Sequence, residues 1–291
     1  MEDGSEEIPV DDNTLVSKAK PGDYVKYIPG NRTFTMKVNG MSVTENGEIT
    51  NYTETEDGIA TGYDTEQTYN TADYTGLWQV LYNDTEHGLQ IISADDVTNG
   101  NIFYLGNGDS ITGKGNETKM KTGYNNSINT LNAFCANYVN PSYAISGRCV
   151  GSNPTNPADA TVEYETLPFE YKGSTASGCK KLDNNYLADY NAMKEISTIE
   201  NPNGIHNIGK YYWLASRNVV FDGGYKYFYL RAVATEGNVE NGNFFWRLDS
   251  NEGSLMCAIP RCVRPCITLK TDIKTNRGDG TSANPYELSM E

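Results

Sequence analysis

Only two stretches of this chain show the three- and four-residue spacing of apolar side chains that an amphipathic helix requires. They span residues 126–138, with Ile128, Leu131, Phe134, Cys135 and Tyr138, and residues 185–197, with Tyr186, Leu187, Tyr190, Met193 and Ile196. Because both helices lie in the middle of the chain and do not alternate with strands, the sequence predicts an α+β fold and disfavours a parallel α/β sheet.

The segments on either side of the helices are typical of strands, since they are short, apolar or alternating, and bounded by Gly, Pro and Asn. The predicted strands are residues 23–28, 34–38, 77–82, 89–93, 211–215, 227–233, 243–248 and 262–269, and residues 77–93 form a hairpin. Residues 147–159 are predicted to be an ordered loop. We expect a single domain from residue 21 to residue 288, in which the first strand pairs with the strand at 262–269.

The charge is strongly negative and unevenly distributed. The net charge is -15, and residues 38–113 contain no Lys or Arg. Nucleic acid is therefore excluded as a partner, because basic patches supply most of the affinity for phosphate backbones. We expect residues 1–20 to be a flexible acidic leader and residues 39–75 to be an acidic insertion with a weak hairpin.

Six cysteines are present, and they allow fifteen disulfide pairings. No C-x-x-C motif occurs and neither histidine lies near a cysteine pair, so we expect no zinc site, no other metal and no cofactor. The cysteines form at least one disulfide outside the cytoplasm, or they are buried as small apolar residues.

The sequence shows no pattern of a catalytic site. His206 is the only imidazole in the C-terminal half, and no orienting partner or nucleophile accompanies it. The tripeptide Arg277-Gly278-Asp279 matches an adhesive motif, but Gly-Asp-Gly is also typical of a turn, which we favour. We therefore expect a protein that is not an enzyme.

The motif Tyr212-Trp213-Leu214-Ala215-Ser216-Arg217, followed by a Tyr-, Asn- and Gly-rich stretch and then Val263-Arg264-Pro265, resembles a bacterial family. This family is the C-type-lectin-like variable proteins that diversity-generating retroelements diversify, which include pilin-like surface proteins with a C-terminal lectin-like domain. The resemblance extends over most of the chain, through Gly22-Asp23-Tyr24-Val25, Trp78-Gln79-Val80-Leu81 and Gly278-Asp279-Gly280-Thr281-Ser282.

The resemblance implies a C-type-lectin-like fold, with a mixed, mostly antiparallel sheet, two helices and long loops. It also implies a variable ligand-binding region at residues 217–258. Within that region we predict that the ligand is bound by Arg217, Asn218, Phe221, Asp222, Tyr225, Tyr227, Tyr229, Phe244, Trp246, Asp249 and Asn251. Alternation along the strand predicts that the three tyrosines share the outer face, with Phe228 and Leu230 on the inner face.

The implied function is that of an extracellular or surface-displayed receptor or adhesin with a protein or glycan ligand. Many relatives carry a hydrophobic N-terminal helix, so we expect membrane association only through a segment outside this sequence, with pilus assembly as one context. Two alternatives stay open. One is an oxidase related to formylglycine-generating enzymes, for which residues 257–266 hold the only cysteine cluster, and the other is a structural pilus-tip subunit without a ligand.

The sequence departs from the family at Cys262 and Cys266, which flank Val263-Arg264-Pro265 where relatives have Gly and Val, and at Cys149. It also lacks the Glu-Pro-Asn and Gln-Pro-Asp triplets of calcium-dependent sugar binding. Calcium-dependent sugar binding is therefore not expected.

Overall fold

The computed structural model describes residues 13–39, 42–43, 49–50, 53–54, 60–61, 64–98, 128–155, 157, 186–222, 225–248, 253–255 and 261–290. These residues form an α+β fold with mostly antiparallel sheets and one mixed sheet, as predicted. The three helices are α1 (Leu15–Lys18), α2 (128–136) and α3 (Ala188–Glu195). The helices predicted at 126–138 and 185–197 are thus confirmed at residues 128–136 and 188–195.

The largest sheet has seven strands in the order β10-β15-β9-β8-β1-β17-β16. Their ranges are β1 Tyr24–Lys26, β8 Trp78–Asp84, β9 Gly88–Ser93, β10 Ala144–Cys149, β15 Pro265–Leu269, β16 Lys274–Arg277 and β17 Tyr286–Ser289. β8 and β9 form the predicted hairpin. Consecutive residues of both strands are buried, so both faces of the sheet are covered here, which explains why the two segments are apolar runs in the sequence.

The first strand does pair with the last, but the partner is not the one expected. β1 runs parallel to β17, whereas β15 lies between β9 and β10. β17 has only four residues after a turn-rich segment, so the sequence shows too little alternation to identify it. In the turn before it, Thr281 donates its backbone N–H and its hydroxyl to Asp279 Oδ1, which confirms the turn interpretation of Arg277-Gly278-Asp279.

The expected leader is too long. Residues 13–20 belong to the folded part of the chain, because Leu15 in α1 is fully buried and its N–H donates to Ile273 O at 2.8 Å. Thr14 also forms a β-bridge with Lys274. A four-residue helix with two adjacent apolar side chains, Leu15 and Val16, gives no periodic signal, so tertiary packing alone reveals this segment.

The expected insertion at 39–75 is also shorter at its C-terminal side. Strand β2 (Thr33–Asn39) pairs with β7 (Asp64–Asn70), and Tyr69 packs against Phe34 and Phe134 in the core. Between them, β3 (Ser42–Val43) pairs with β4 (Ile49–Thr50), and β5 (Thr53–Glu54) pairs with β6 (Ala60–Thr61). The described part of the insertion between β2 and β7 therefore consists of two short antiparallel strand pairs.

The loop predicted at 147–159 begins instead as the end of β10. Gly147 lies in this strand against α2, where an added Cβ would come within 3.0 Å of Cys135 O and 2.9 Å of Val139 Cγ2. Glycine is therefore needed for close helix–strand packing, although the same residue in the sequence suggests a loop.

A buried ion pair joins β10 to α3. Arg148 Nη1 and Nη2 donate to the two Asp189 carboxylate oxygens at 2.5 and 3.0 Å, and both side chains are almost fully buried. Asp189 also accepts the Gly151 N–H at 2.7 Å and the Tyr82 hydroxyl at 3.1 Å, while Gln90 Oε1 accepts from Arg148 Nη2 at 2.7 Å. The network thus connects the β8–β9 hairpin, β10, the following turn and α3.

We expect Asp189→Asn to lower the free energy of unfolding by about 3–5 kcal/mol, because it leaves the Arg148 cation buried without its counter-charge. Glu287→Gln is the matched control, since Glu287 pairs with Lys26 at a surface where the side chains are 44% and 54% exposed. That change should cost less than about 1 kcal/mol. Urea unfolding of both variants measures the difference, and equal losses would refute a structural role for the buried pair.

Candidate functional site

The predicted ligand region lies on a separate four-stranded antiparallel sheet with the order β11-β12-β13-β14. Its strands are β11 Tyr212–Asp222, β12 Tyr225–Val233, β13 Val239–Leu248 and β14 Gly253–Leu255. The strands predicted at 211–215, 227–233 and 243–248 are confirmed, and each extends further than the sequence indicated.

One end of this sheet, which we call the root, is built into the core. The root comprises Tyr212, Trp213, Leu214, Ala215 and Ser216 of β11 and Leu230, Ala232 and Val233 of β12, all completely buried. Its backbone is tied to the larger sheet, because Trp213 N–H donates to Cys262 O at 3.0 Å and Ala215 N–H donates to Val150 O at 2.8 Å. Trp213 therefore belongs to the buried scaffold of this sheet.

Arg264 connects the root to neighbouring segments of the chain. It is fully buried, and its Nε and Nη2 both donate to Ser93 O, at 3.0 and 2.7 Å, while Nη1 donates to Ile205 O at 3.0 Å. Its guanidinium also lies 5.3 Å from the centre of the Tyr212 ring. Arg264 therefore links the end of β9 to the segment that leads into β11.

Beyond the root, the strand register arranges the predicted ligand residues in two rows. The first row, which we call the tyrosine row, contains the cross-strand pairs Asp222–Tyr225, Asn218–Tyr229 and Tyr229–Phe244, together with Tyr227. The second, the leucine row, contains Arg217 opposite Leu230, Phe221 opposite Lys226, and Trp246 opposite Phe228. The sequence treated these residues as one surface, whereas the register divides them.

A β-bulge causes part of this division. The pairing shifts between Phe228 and Tyr229, so that Phe228 lies opposite Trp246 and Tyr229 lies opposite Phe244. Phe244 and Trp246 are two residues apart and would share a face in a regular strand, but the bulge assigns them to different rows. Of the two predicted inner residues, Phe228 and Leu230, the structure shows Leu230 to be buried. Of the predicted ligand residues, Asp249 and Asn251 lie outside the described residues. Exposure of the three tyrosines stays a prediction.

A half-exposed cluster beside the root was not anticipated from the sequence. The Arg261 guanidinium lies 4.1 Å from the centre of the Tyr211 ring, a cation–π distance. Burial, then Glu240, raises the pKa of Tyr211, and burial lowers that of Arg261. Arg261 lies one residue before Cys262, and no sequence pattern pairs it with Tyr211, so only the fold shows this cluster.

His206 supports the turn between β12 and β13. Its side chain is buried, the Tyr190 ring packs edge-on against it at 5.5 Å, and the Tyr190 hydroxyl donates to Gly237 O in that turn. A Cβ at Gly237 would lie 3.0 Å from His206 Nε2, so the turn closely covers the imidazole. These contacts make His206 part of the packing that supports the β12–β13 turn.

Protonation of His206 should destabilise the fold. Burial lowers its pKa below the ordinary 6.5, and the nearby Lys194 and Arg264 charges lower it further. The other groups that face it, Tyr190 and Gly237, offer no negative charge. Because the unfolded chain then binds the proton more readily, the contribution of His206 to the free energy of unfolding should fall as the pH drops below about 6.5. Above that pH the contribution of His206 should stay constant.

Urea unfolding of wild type and His206→Gln between about pH 8 and pH 5 tests this expectation. The difference in stability between the two proteins should change only below about pH 6.5, in the direction that penalises wild type. Because all other titrating groups are common to both proteins, they cancel in the difference. A difference independent of pH would contradict a depressed pKa at His206.

We also expect Arg264→Lys to destabilise the protein by about 1–3 kcal/mol, since a lysine cannot reach both the Ser93 and the Ile205 carbonyl and leaves one buried acceptor unpaired. Arg277→Lys is the control, because the Arg277 side chain is 82% exposed. Thermal and urea unfolding give the comparison. Equal stability of the Arg264→Lys protein and wild type would mean that an unpaired Ser93 or Ile205 carbonyl costs no stability at the root.

Four of the six cysteines lie in the described part of the chain. Cys135, Cys149, Cys262 and Cys266 are free and buried, and Cys179 and Cys257 lie outside the described residues. Burial and the nearby Asp96 raise the pKa of Cys262 to about 12, whereas Cys266 is buried beside Arg148, Asp189 and Cys149. Cys262 and Cys266 thus have different neighbours.

The described residues contain no group of three or more His, Cys, Asp or Glu side chains that could hold a metal ion. Comparison of the chain with family models, with curated proteins and with solved structures gives no match. No helix in the described part of the chain has both the length and the apolar character needed to cross a membrane.

Proposed function

We propose that this chain is an extracellular or surface-displayed binding protein, and that the tyrosine row on β11, β12 and β13 is its ligand surface. One observation carries the proposal: all the predicted ligand residues that the structure describes lie on these strands beyond the buried root. A sheet anchored at one end can present different side chains at the other while the anchor stays unchanged.

The chemistry of the tyrosine row fits recognition of a protein or a glycan. Tyr and Phe supply large contact areas and lose little conformational entropy on binding, and Asn and Asp supply adaptable hydrogen bonds. Because both flanking strands pair with β12, the backbone that carries these residues is ordered before a ligand arrives, which reduces the entropic cost of association. The net charge of -15 disfavours nucleic acid as the partner.

We further propose that the scaffold is C-type-lectin-like. Three features support this finer assignment: the two longer helices, α2 and α3, precede the four-stranded sheet, the first and last described strands are neighbours, and the Tyr212–Arg217 and Val263–Pro265 motifs meet at the root. Within this proposal the Tyr-, Asn- and Gly-rich positions after Ser216 are the ones that a retroelement would diversify. Surface display, with pilus assembly as one context, is part of the same proposal.

The decisive variant replaces Tyr225, Tyr227 and Tyr229 by Ser. We expect it to unfold with nearly the same free energy as wild type but to lose at least about tenfold in affinity for ligands found on glycan and protein arrays, because aromatic residues dominate binding at such surfaces. Affinities would be measured by biolayer interferometry on the captured ligand, and stability by urea unfolding.

Two control variants give the experiment its discrimination. The first control replaces three exposed isoleucines by Ser: Ile28, Ile145 and Ile199, which are 66%, 66% and 94% exposed. This variant loses a comparable apolar surface elsewhere on the protein, so its binding should be unchanged. Phe221→Ser combined with Trp246→Ser changes the leucine row and should reduce stability. Unfolding of the tyrosine variant would refute an exposed tyrosine row. Arrays without any ligand would favour the structural pilus subunit.

A further inference from the structure

The register of β10 and β15 determines which cysteines can meet. Arg148 and Cys266 are directly opposite each other across the two strands, so they share one face of the sheet, the face on which Arg148 contacts α3. Cys149 follows Arg148 and therefore lies on the other face together with Gly147. Cys149 and Cys266 are thus on opposite faces of the sheet, although they are close in register.

The face with Gly147 and Cys149 is the face against which α2 packs. Cys149 N–H donates to Asn132 Oδ1 at 2.9 Å, and the carbonyl of Cys135 lies against Gly147. Asn132 and Cys135 are three residues apart on α2 and so lie on the same side of that helix. Both Cys135 and Cys149 are completely buried, and after burial itself Cys149 is the neighbour that contributes most to raising the pKa of Cys135.

We propose that Cys135 and Cys149 form a disulfide between α2 and β10 when the chain folds in an oxidising compartment. The other two described cysteines are unsuitable partners, since Cys266 lies on the α3 face and Cys262 lies beside Asp96. This inference does not depend on the ligand surface, which lies on the other sheet.

The reaction needs a disulfide oxidant, which we take to be a small-molecule disulfide such as oxidised glutathione. One cysteine thiolate attacks a glutathione sulfur, which forms a mixed disulfide and releases one glutathione thiolate. The second cysteine thiolate then attacks the protein sulfur of that mixed disulfide and releases the other glutathione. Two cysteine thiols are oxidised, one glutathione disulfide is reduced, and the two thiol protons end on the two glutathiones.

Burial determines when this reaction occurs. Because neither sulfur is exposed in the folded chain, the oxidant reaches the thiols only before α2 packs on β10. Once formed, the bond is shielded in the same way, so dithiothreitol should reduce it only after denaturation. A disulfide that closes the 15-residue segment from Cys135 to Cys149 also reduces the conformational entropy of the unfolded chain. Its loss should therefore lower the melting temperature by roughly 5–10 °C.

The test refolds fully reduced wild-type protein in a glutathione redox buffer, blocks the remaining thiols with iodoacetamide, and maps non-reduced peptides by mass spectrometry. We expect a linked peptide pair that contains Cys135 and Cys149. Cys135→Ala and Cys149→Ala should each lose that pair and the associated thermal stability under oxidising conditions, whereas Cys262→Ala should keep both. A parallel refolding without oxidant gives the melting temperature of each variant as a free thiol, which separates the bridge from the substitution itself.

Alkylation of both Cys135 and Cys149 in the refolded wild type would overturn the proposal, and so would a bridge from either of them to Cys266 or to another cysteine. A bridge between Cys179 and Cys257 in addition to the expected pair would leave it standing. The proposed ligand surface is tested separately by the tyrosine variant, so failure of one experiment does not imply failure of the other.

Discussion

The position of the β11–β14 sheet depends on one buried cation, Arg264. In the described part of the chain, Arg264 is satisfied only by the Ser93 and Ile205 carbonyls, the Met193 sulfur at 3.6 Å and the Tyr212 ring. Burying a guanidinium is expensive, and carbonyl dipoles offset the cost only when their geometry is close to ideal. The end of β9, the end of α3 and the start of β11 must therefore keep one arrangement.

The Arg148–Asp189 pair applies the same constraint on the other side of α3. Asp189 accepts from Arg148, Gly151 and Tyr82, so its carboxylate organises donors from three separate elements. A buried polar network that loses one partner is less stable than an apolar core, so every member must keep its position. Networks of this kind therefore fix geometry more than they add stability. Together the two arginines fix α3 and the root in one arrangement.

The sequence allowed a good prediction of elements with a strong local signal and a poor one of elements defined by packing. The β8–β9 hairpin, α2 and α3 were found because their apolar residues follow the helix or strand period. The sequence predicts a loop over the end of β10 because Gly147, which admits α2, is also typical of loops, and it predicts a leader over α1 because Leu15 is the only buried residue of that helix. For the candidate site, residue types and strands could be predicted, but the bulge that separates Phe244 from Trp246 has no signature in their spacing.

The parallel pairing of β1 with β17 has a mechanical consequence. Val25 lies beside Tyr286 and Lys26 beside Glu287, with both strands running in the same direction. Tension applied between the two ends of the described chain therefore pulls these strands past each other lengthwise, and their hydrogen bonds carry the load together rather than opening one at a time. The Thr14–Lys274 bridge lies outside this pair and must also yield before the strands separate. The load is thus shared by both residue pairs, unlike in a hairpin that is pulled open from its end.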